Sequence, residues 1–167
     1  MHLMIDLETL NTTPSSVILS AGACYFDANG IKEQFYSELS IQDQLDMGRT
    51  ISHSTLAFWS EQPNFTSFIY SPKVSILNFI IDFLEYLNLY QESIIWANAP
   101  SFDLVILEDL YNSLRTELPW NFRNFRDFRT LRKIFPSCPR IGGSDHHALH
   151  DALSQAEYII QNFPGVL

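Results

Sequence analysis

Two strand-like runs flank a turn signal near the start of the chain, and this arrangement constrains the fold most. "SSVILSAGACYF" is rich in apolar and β-branched residues, "DANG" follows it, and "IKEQFYSEL" comes next. Asp, Asn and Gly tolerate the backbone angles of tight turns, so the two runs read as a hairpin. Before them, "HLMID" is a short apolar run ending in acid and reads as a first strand. A later run, "SIIWAN", reads as a buried strand.

Helical spacing takes over elsewhere. From Val74, the positions Leu77, Ile80, Ile81, Leu84 and Leu87 recur at helical intervals. A second helix is expected from Ser101 to about Thr116, with Leu107, Leu110 and Leu114 inward and "LPW" as its stop. A last helix is expected to start near residues 144–146, with a stripe of Leu149, Ala152, Leu153, Ala156, Ile160 and Phe163. Residues 41–64 read as a loop holding a short helix around Thr55 to Ser60. The order is a strand meander, then helix, strand, helix, strand or loop, helix. It predicts an α/β mixed sheet flanked by helices, in a single domain over residues 1–167.

Composition limits function. The chain is 46% apolar, enough for its own core, and carries a formal net charge of −9. Passive nucleic-acid binding normally needs a broad basic surface, which this charge opposes. A site acting through metal cations escapes that objection. Five of the ten Lys and Arg residues crowd into "NFRNFRDFRTLRK": Arg123, Arg126, Arg129, Arg132 and Lys133. Two distant cysteines, Cys24 and Cys138, argue against a disulfide framework or a CxxC zinc site. The N-terminus lacks the basic and long apolar segments of a signal peptide. No window reaches the roughly 18 apolar residues of a membrane span. A cytoplasmic protein with no membrane partner is expected.

The acids carry the chemistry. Asp6 and Glu8 lie two apart at a strand end, so their carboxylates share a face. Like charges placed together are costly unless cations sit between them. Asp103 continues the inward stripe of its helix, at the N-terminal end, where a capping role is the plainer explanation. "NAPSFD" already offers Ser101 as a cap, however, which leaves Asp103 as a ligand candidate. Asp151 lies in "SDHHALHDA" beside the stripe residues Ala148 and Ala152. Hard oxygen ligands suit Mg²⁺ or Mn²⁺. Two such ions about 3.5–4 Å apart can hold the attacking and leaving oxygens of a phosphoryl displacement. A nearby histidine can take a proton from the attacking water. A rival reading is a zinc-binding regulator built on His146, His147 and His150, whose i, i+3 and i, i+4 spacings suit a helix face.

In this order and spacing, the motifs resemble the DEDDh 3′-to-5′ exonucleases, which include DnaQ-type proofreading subunits and RNase T. "IDLET" resembles their first motif, "WANAPSFD" the second and "HHALHDA" the third. The third motif has the family form H-x-A-L-x-D-A, so its histidine falls on His146 and its acid on Asp151. "FWSEQP", "LPWNF" and "RDFRTL" resemble the compact exoribonuclease branch that includes mycobacterial RNase AS, and phage DexA and exodeoxyribonuclease VIII-type enzymes are similar. The resemblance implies a ribonuclease H-like mixed sheet, with antiparallel first strands and then parallel ones. It implies two Mg²⁺ (or Mn²⁺) ions held by Asp6, Glu8, Asp103 and Asp151, with His146 as general base. The reaction implied is release of nucleoside 5′-monophosphates from the 3′ ends of single-stranded nucleic acid. RNA is slightly favoured over DNA, and a homodimer is expected.

Thr9 and Leu10 fit the family position that holds the terminal nucleotide. Phe58, Trp59 and Phe102 are candidates to stack or wall off bases, with core packing as the alternative for each. Arg126 and Arg129 are candidates to reach phosphate, or a carboxylate across a subunit interface; a solvated face is the alternative. Single-stranded DNA as substrate, and a catalytically silent module with the same fold, complete the alternatives.

Overall fold

The structure is a computed structural model that describes residues 1–63, 65–135 and 146–167. Cys138 and the first residues expected for the last helix lie outside the described residues. Three strands open the chain: β1 (His2–Thr9), β2 (Ile18–Asp27) and β3 (Gly30–Glu38). Three short helices follow, α1 (Ile41–Asp46), α2 (His53–Ser60) and α3 (Phe65–Tyr70). Then come α4 (Ile76–Leu87), β4 (Ile94–Ala97), α5 (Asp103–Ser113), β5 (Phe125–Asp127), α6 (Phe128–Ile134) and α7 (Ala148–Asn162).

Among the described residues the strands form a five-stranded sheet in the order β3-β2-β1-β4-β5. The first hairpin closes at Gly30, whose φ of +119° is one that residues with a side chain rarely adopt. β1 and β2 pair antiparallel, whereas β1–β4 and β4–β5 are parallel. The parallel pairs require crossovers, which the intervening helices supply. Alternation along β1 divides the core. Leu3, Ile5 and Leu7 face a cluster with Phe79, Phe83, Leu107 and Leu110 from α4 and α5. Met4 faces the other way, toward Ala152, Ala156 and Ile159 of α7. The Cys24 thiol belongs to this second layer and donates to the Ala152 carbonyl at 3.7 Å.

Several elements depart from expectation. The inward face of α4 is Ile76, Phe79, Ile80, Phe83, Tyr86 and Leu87. Leu77 and Ile81 are exposed instead. Both stripes fit helical spacing, and the aromatic one wins because it buries more area against the sheet. The basic run spans three elements. It passes through a 3-10 turn, then β5, then α6, so its three-residue period has no single structural meaning. Residues 41–63 hold α1 as well as α2, and α3 follows at Phe65. α1 is capped by Ser40 and anchored by the fully buried Gln44, which bonds both the amide and the carbonyl of Ile18.

Candidate active site

The carboxyl ends of β1 and β4 lie side by side, with Ile5 opposite Ala97. At that edge a cleft of about 310 Å³ is lined by Asp6, Leu7, Glu8, Asn98, Ala99, Phe102, Asp103, Arg129, His146 and Asp151. Ligand sites of open α/β sheets commonly lie beyond strand carboxyl ends. All four predicted acids and the predicted histidine therefore meet in one place.

Each acid is placed for a local reason. Asp6 and Glu8 are on the same face of β1 as Met4, toward α7, and both are buried. Asp103 opens α5. Phe102, not Ser101, occupies the cap position there, and it supplies no side-chain bond. The Asp103 carboxylate instead accepts from Leu7 N at 3.2 Å and from Ala99 N at 3.3 Å. It thus stitches α5 and the β4 exit loop to β1. Asp151 sits in the first turn of α7, where a negative charge is favoured by the helix dipole. Ligand atoms of Asp6, Glu8 and Asp151 lie within 4.8 Å of one another.

α7 reaches this position because of Gly22. Gly22 is the register partner of Asp6 on β2. A Cβ there would lie 2.2 Å from the Ala148 carbonyl carbon and 2.2 Å from Leu149 N. The start of α7 therefore rests directly on the sheet, next to the acids.

The electrostatics match a cation site. Burial, then the charges of Asp103 and Glu8, push Asp6 well above the usual carboxylate range. Burial pushes Asp103 up to about 7, although backbone amides and Arg129 oppose the shift. Four acids gathered in one cleft repel one another, and divalent cations relieve that cost. The donor set is all carboxylate oxygen, which fits Mg²⁺ or Mn²⁺.

The predicted substrate residues separate into groups. Phe102 and Arg129 line the cleft, and Arg129 N also donates to Asn98 O at 3.2 Å. Phe58 is 40% exposed and meets the His146 ring edge-on at 5.0 Å. Trp59 is buried, so its side chain offers no open stacking face; its indole N–H donates to the Thr9 carbonyl at 2.8 Å. Thr9 and Leu10 are themselves buried, with Leu10 packed against Val17, Leu19 and Phe68. Arg126 is not among the cleft residues; its guanidinium donates to the carbonyls of Arg123 and Phe125.

The histidines do not converge as a zinc site would require. His146 has a left-handed φ of 54° and turns toward Phe58 and Trp59. His147 and His150 stack face to face at 4.1 Å, and Tyr36 stacks on His147 at 4.4 Å. Sequence reasoning missed Gln155, whose amide donates to Asp6 Oδ1 at 2.8 Å. Its place one turn beyond Asp151 was the available signal.

Comparison with known proteins places the fold and the family. In fold the chain is similar to the nuclease domain of 3′hExo, a DEDDh family member solved bound to rAMP. That match has a TM-score of 0.62 at 13% identity and covers 95% of this chain and 89% of that one. A full-length 3′-exonuclease is also similar, with a TM-score of 0.58 at 12% identity, covering 95% of this chain and 59% of that one. No curated protein matches in sequence. The fold is thus ribonuclease H-like, as the motifs implied. The family model described as "3′-5′ exoribonuclease Rv2179c-like domain" matches residues 1–162, and the chain belongs to that family of DEDDh exonucleases.

Proposed function

We propose that the protein is a metal-dependent 3′-to-5′ exonuclease acting on single-stranded RNA, with single-stranded DNA as the alternative substrate. The observation that carries this reading is the meeting of Asp6, Glu8, Asp103, Asp151 and His146 in one cleft at the carboxyl edge of the sheet. Asp6, Glu8, Asp103 and Asp151 would hold two Mg²⁺ or Mn²⁺ ions, which supply Lewis acidity and neutralise phosphate charge when bound.

The residues of the chain do the rest. His146 takes a proton from the water that attacks the terminal phosphorus. The bond from phosphorus to the 3′-oxygen of the shortened strand breaks, that oxygen gains a proton, and a nucleoside 5′-monophosphate leaves. Arg129 lies beside Asp103 and supplies positive charge for a phosphate oxygen. Phe102 walls the cleft, and Phe58 stands beside it against the ring of His146, where terminal bases would enter. Thr9 and Leu10 act through backbone position, held by Trp59. Arg126 serves a surface role, as a contact for the trailing strand or for a second copy in a homodimer.

The RNA preference rests on the family description; the 3′hExo structure also contains a ribonucleotide. The complete acid set disfavours the silent-module alternative. Two 5′-labelled single strands of equal sequence, one RNA and one DNA, test the proposal with Mn²⁺ or Mg²⁺ and Asp6→Ala as control. The expected result is a ladder shortening from the 3′ end, faster on RNA and absent in the variant. Faster shortening of DNA would reverse the substrate order, and failure on both strands would overturn the proposal.

A further inference from the structure

Gln155 touches the acid cluster from below and is not one of the acids. It lies one helical turn after Asp151 on α7. Its Nε2 donates to Asp6 Oδ1 at 2.8 Å, across 149 residues of sequence. Its Oε1 is buried and has no hydrogen-bond partner among the described residues. A buried amide oxygen left unsatisfied costs stability, which offsets what the bond to Asp6 contributes to folding. Ala152, Ala156 and Ile159 of the same helix belong to the apolar layer that α7 packs on the sheet. A methionine would avoid the cost of the unsatisfied oxygen but leave Asp6 Oδ1 without its donor.

We propose that Gln155 is a positioning residue for the cation site. By holding one oxygen of Asp6 it fixes the carboxylate rotation. The carboxylate is thereby held against Glu8 and Asp151, whose ligand atoms lie within 4.8 Å of one of its oxygens. Partners that orient a ligand from behind commonly change metal affinity by about 10–100-fold when removed. The cost of the orphaned oxygen is the trade for that orientation. This inference rests on the metal-dependent reading above.

The test compares wild type with Gln155→Met, which keeps length and removes the donor, and with Gln155→Asn, which keeps the amide but withdraws it. Mn²⁺ binding is measured by calorimetry on protein stripped of metal, and thermal unfolding is measured without metal. The expected result for Gln155→Met is Mn²⁺ affinity weaker by about tenfold or more. The metal-free melting temperature should shift by only a few degrees, because relief of the buried Oε1 offsets the donor lost by Asp6, and kcat should fall with KM for the strand held within about twofold. Gln155→Asn should weaken Mn²⁺ binding similarly. Wild-type Mn²⁺ binding together with unchanged affinity in Gln155→Met would overturn the positioning role alone. Absence of Mn²⁺ binding by the wild type would overturn the metal-dependent reading itself. A variant that loses metal affinity only in step with a lowered melting temperature would mark Gln155 as structural and refute the inference.

Discussion

Adding one methyl group at Gly22 is the sharpest perturbation the fold permits. The Cβ of Gly22→Ala would stand 2.2 Å from two backbone atoms of α7, whereas ordinary contact begins at 3.4 Å. Backbone cannot rotate away as a side chain can, so the start of α7 must retreat by about 1 Å. Overpacking of this kind costs typically about 1–3 kcal/mol, and a contact with backbone belongs at the upper end. For a chain of this size, about 3 kcal/mol lowers the melting temperature by roughly 6–12 °C. The retreat also carries Asp151 and His146 away from Asp6, and a 1 Å misplacement of reacting groups can cost about 100-fold. The prediction is a folded, less stable protein whose kcat/KM falls by about two orders of magnitude. Thermal unfolding by circular dichroism and initial rates on a labelled single strand check it. Wild-type stability with wild-type activity would refute the argument that Gly22 seats α7.

Trp59→Phe removes the donor to the buried Thr9 carbonyl and should cost about 1–3 kcal/mol, read as a lower urea midpoint. Arg129→Ala should raise KM about tenfold or more, with kcat changed by less than threefold and a shallower salt dependence, as checked by steady-state kinetics at several salt concentrations. Metal-free protein should lose stability as pH rises. Asp6 and Asp103 hold protons in the folded state that the unfolded chain releases near pH 4, so the folded state binds more protons between there and about pH 7. From Asp103 alone the loss is at most about 4 kcal/mol, and saturating Mg²⁺ or Mn²⁺ should remove this trend. Urea titrations at pH 5 and 7.5, with and without metal, measure it.

The strands and the acids were legible because their signals are local. Alternation and the "DANG" turn marked the hairpin, and a two-residue spacing put Asp6 and Glu8 on one face. The helix faces were less legible. On α4, Leu77 and Ile81 compete with Phe79 and Phe83 for the inward side, and only the sheet beneath decides. Buried polar residues outside the site had no local signal. Arg49 is almost fully enclosed, bonding Ser16 O at 2.8 Å and Asp109 at 2.9 Å across the fold. For Trp59 a stacking role and core packing both stood open, because aromatic content says nothing of direction; the ring is buried and its indole N–H is spent on Thr9. The four arginines spaced by three looked like one device, yet three elements divide them. Arg129 reaches the cleft, and Arg123 and Arg132 lie over the rings of Phe122 and Phe128.

The central claim is that this cleft directs water onto the terminal phosphodiester of a strand's 3′ end. A digest in ¹⁸O-labelled water, with the released mononucleotide analysed by mass spectrometry, tests that claim most directly. The account predicts nucleoside 5′-monophosphate carrying one ¹⁸O on its phosphate, formed by wild type and not by Asp6→Ala. Release of 3′-phosphates or cyclic phosphates, or of 5′-monophosphate without the label, would contradict it.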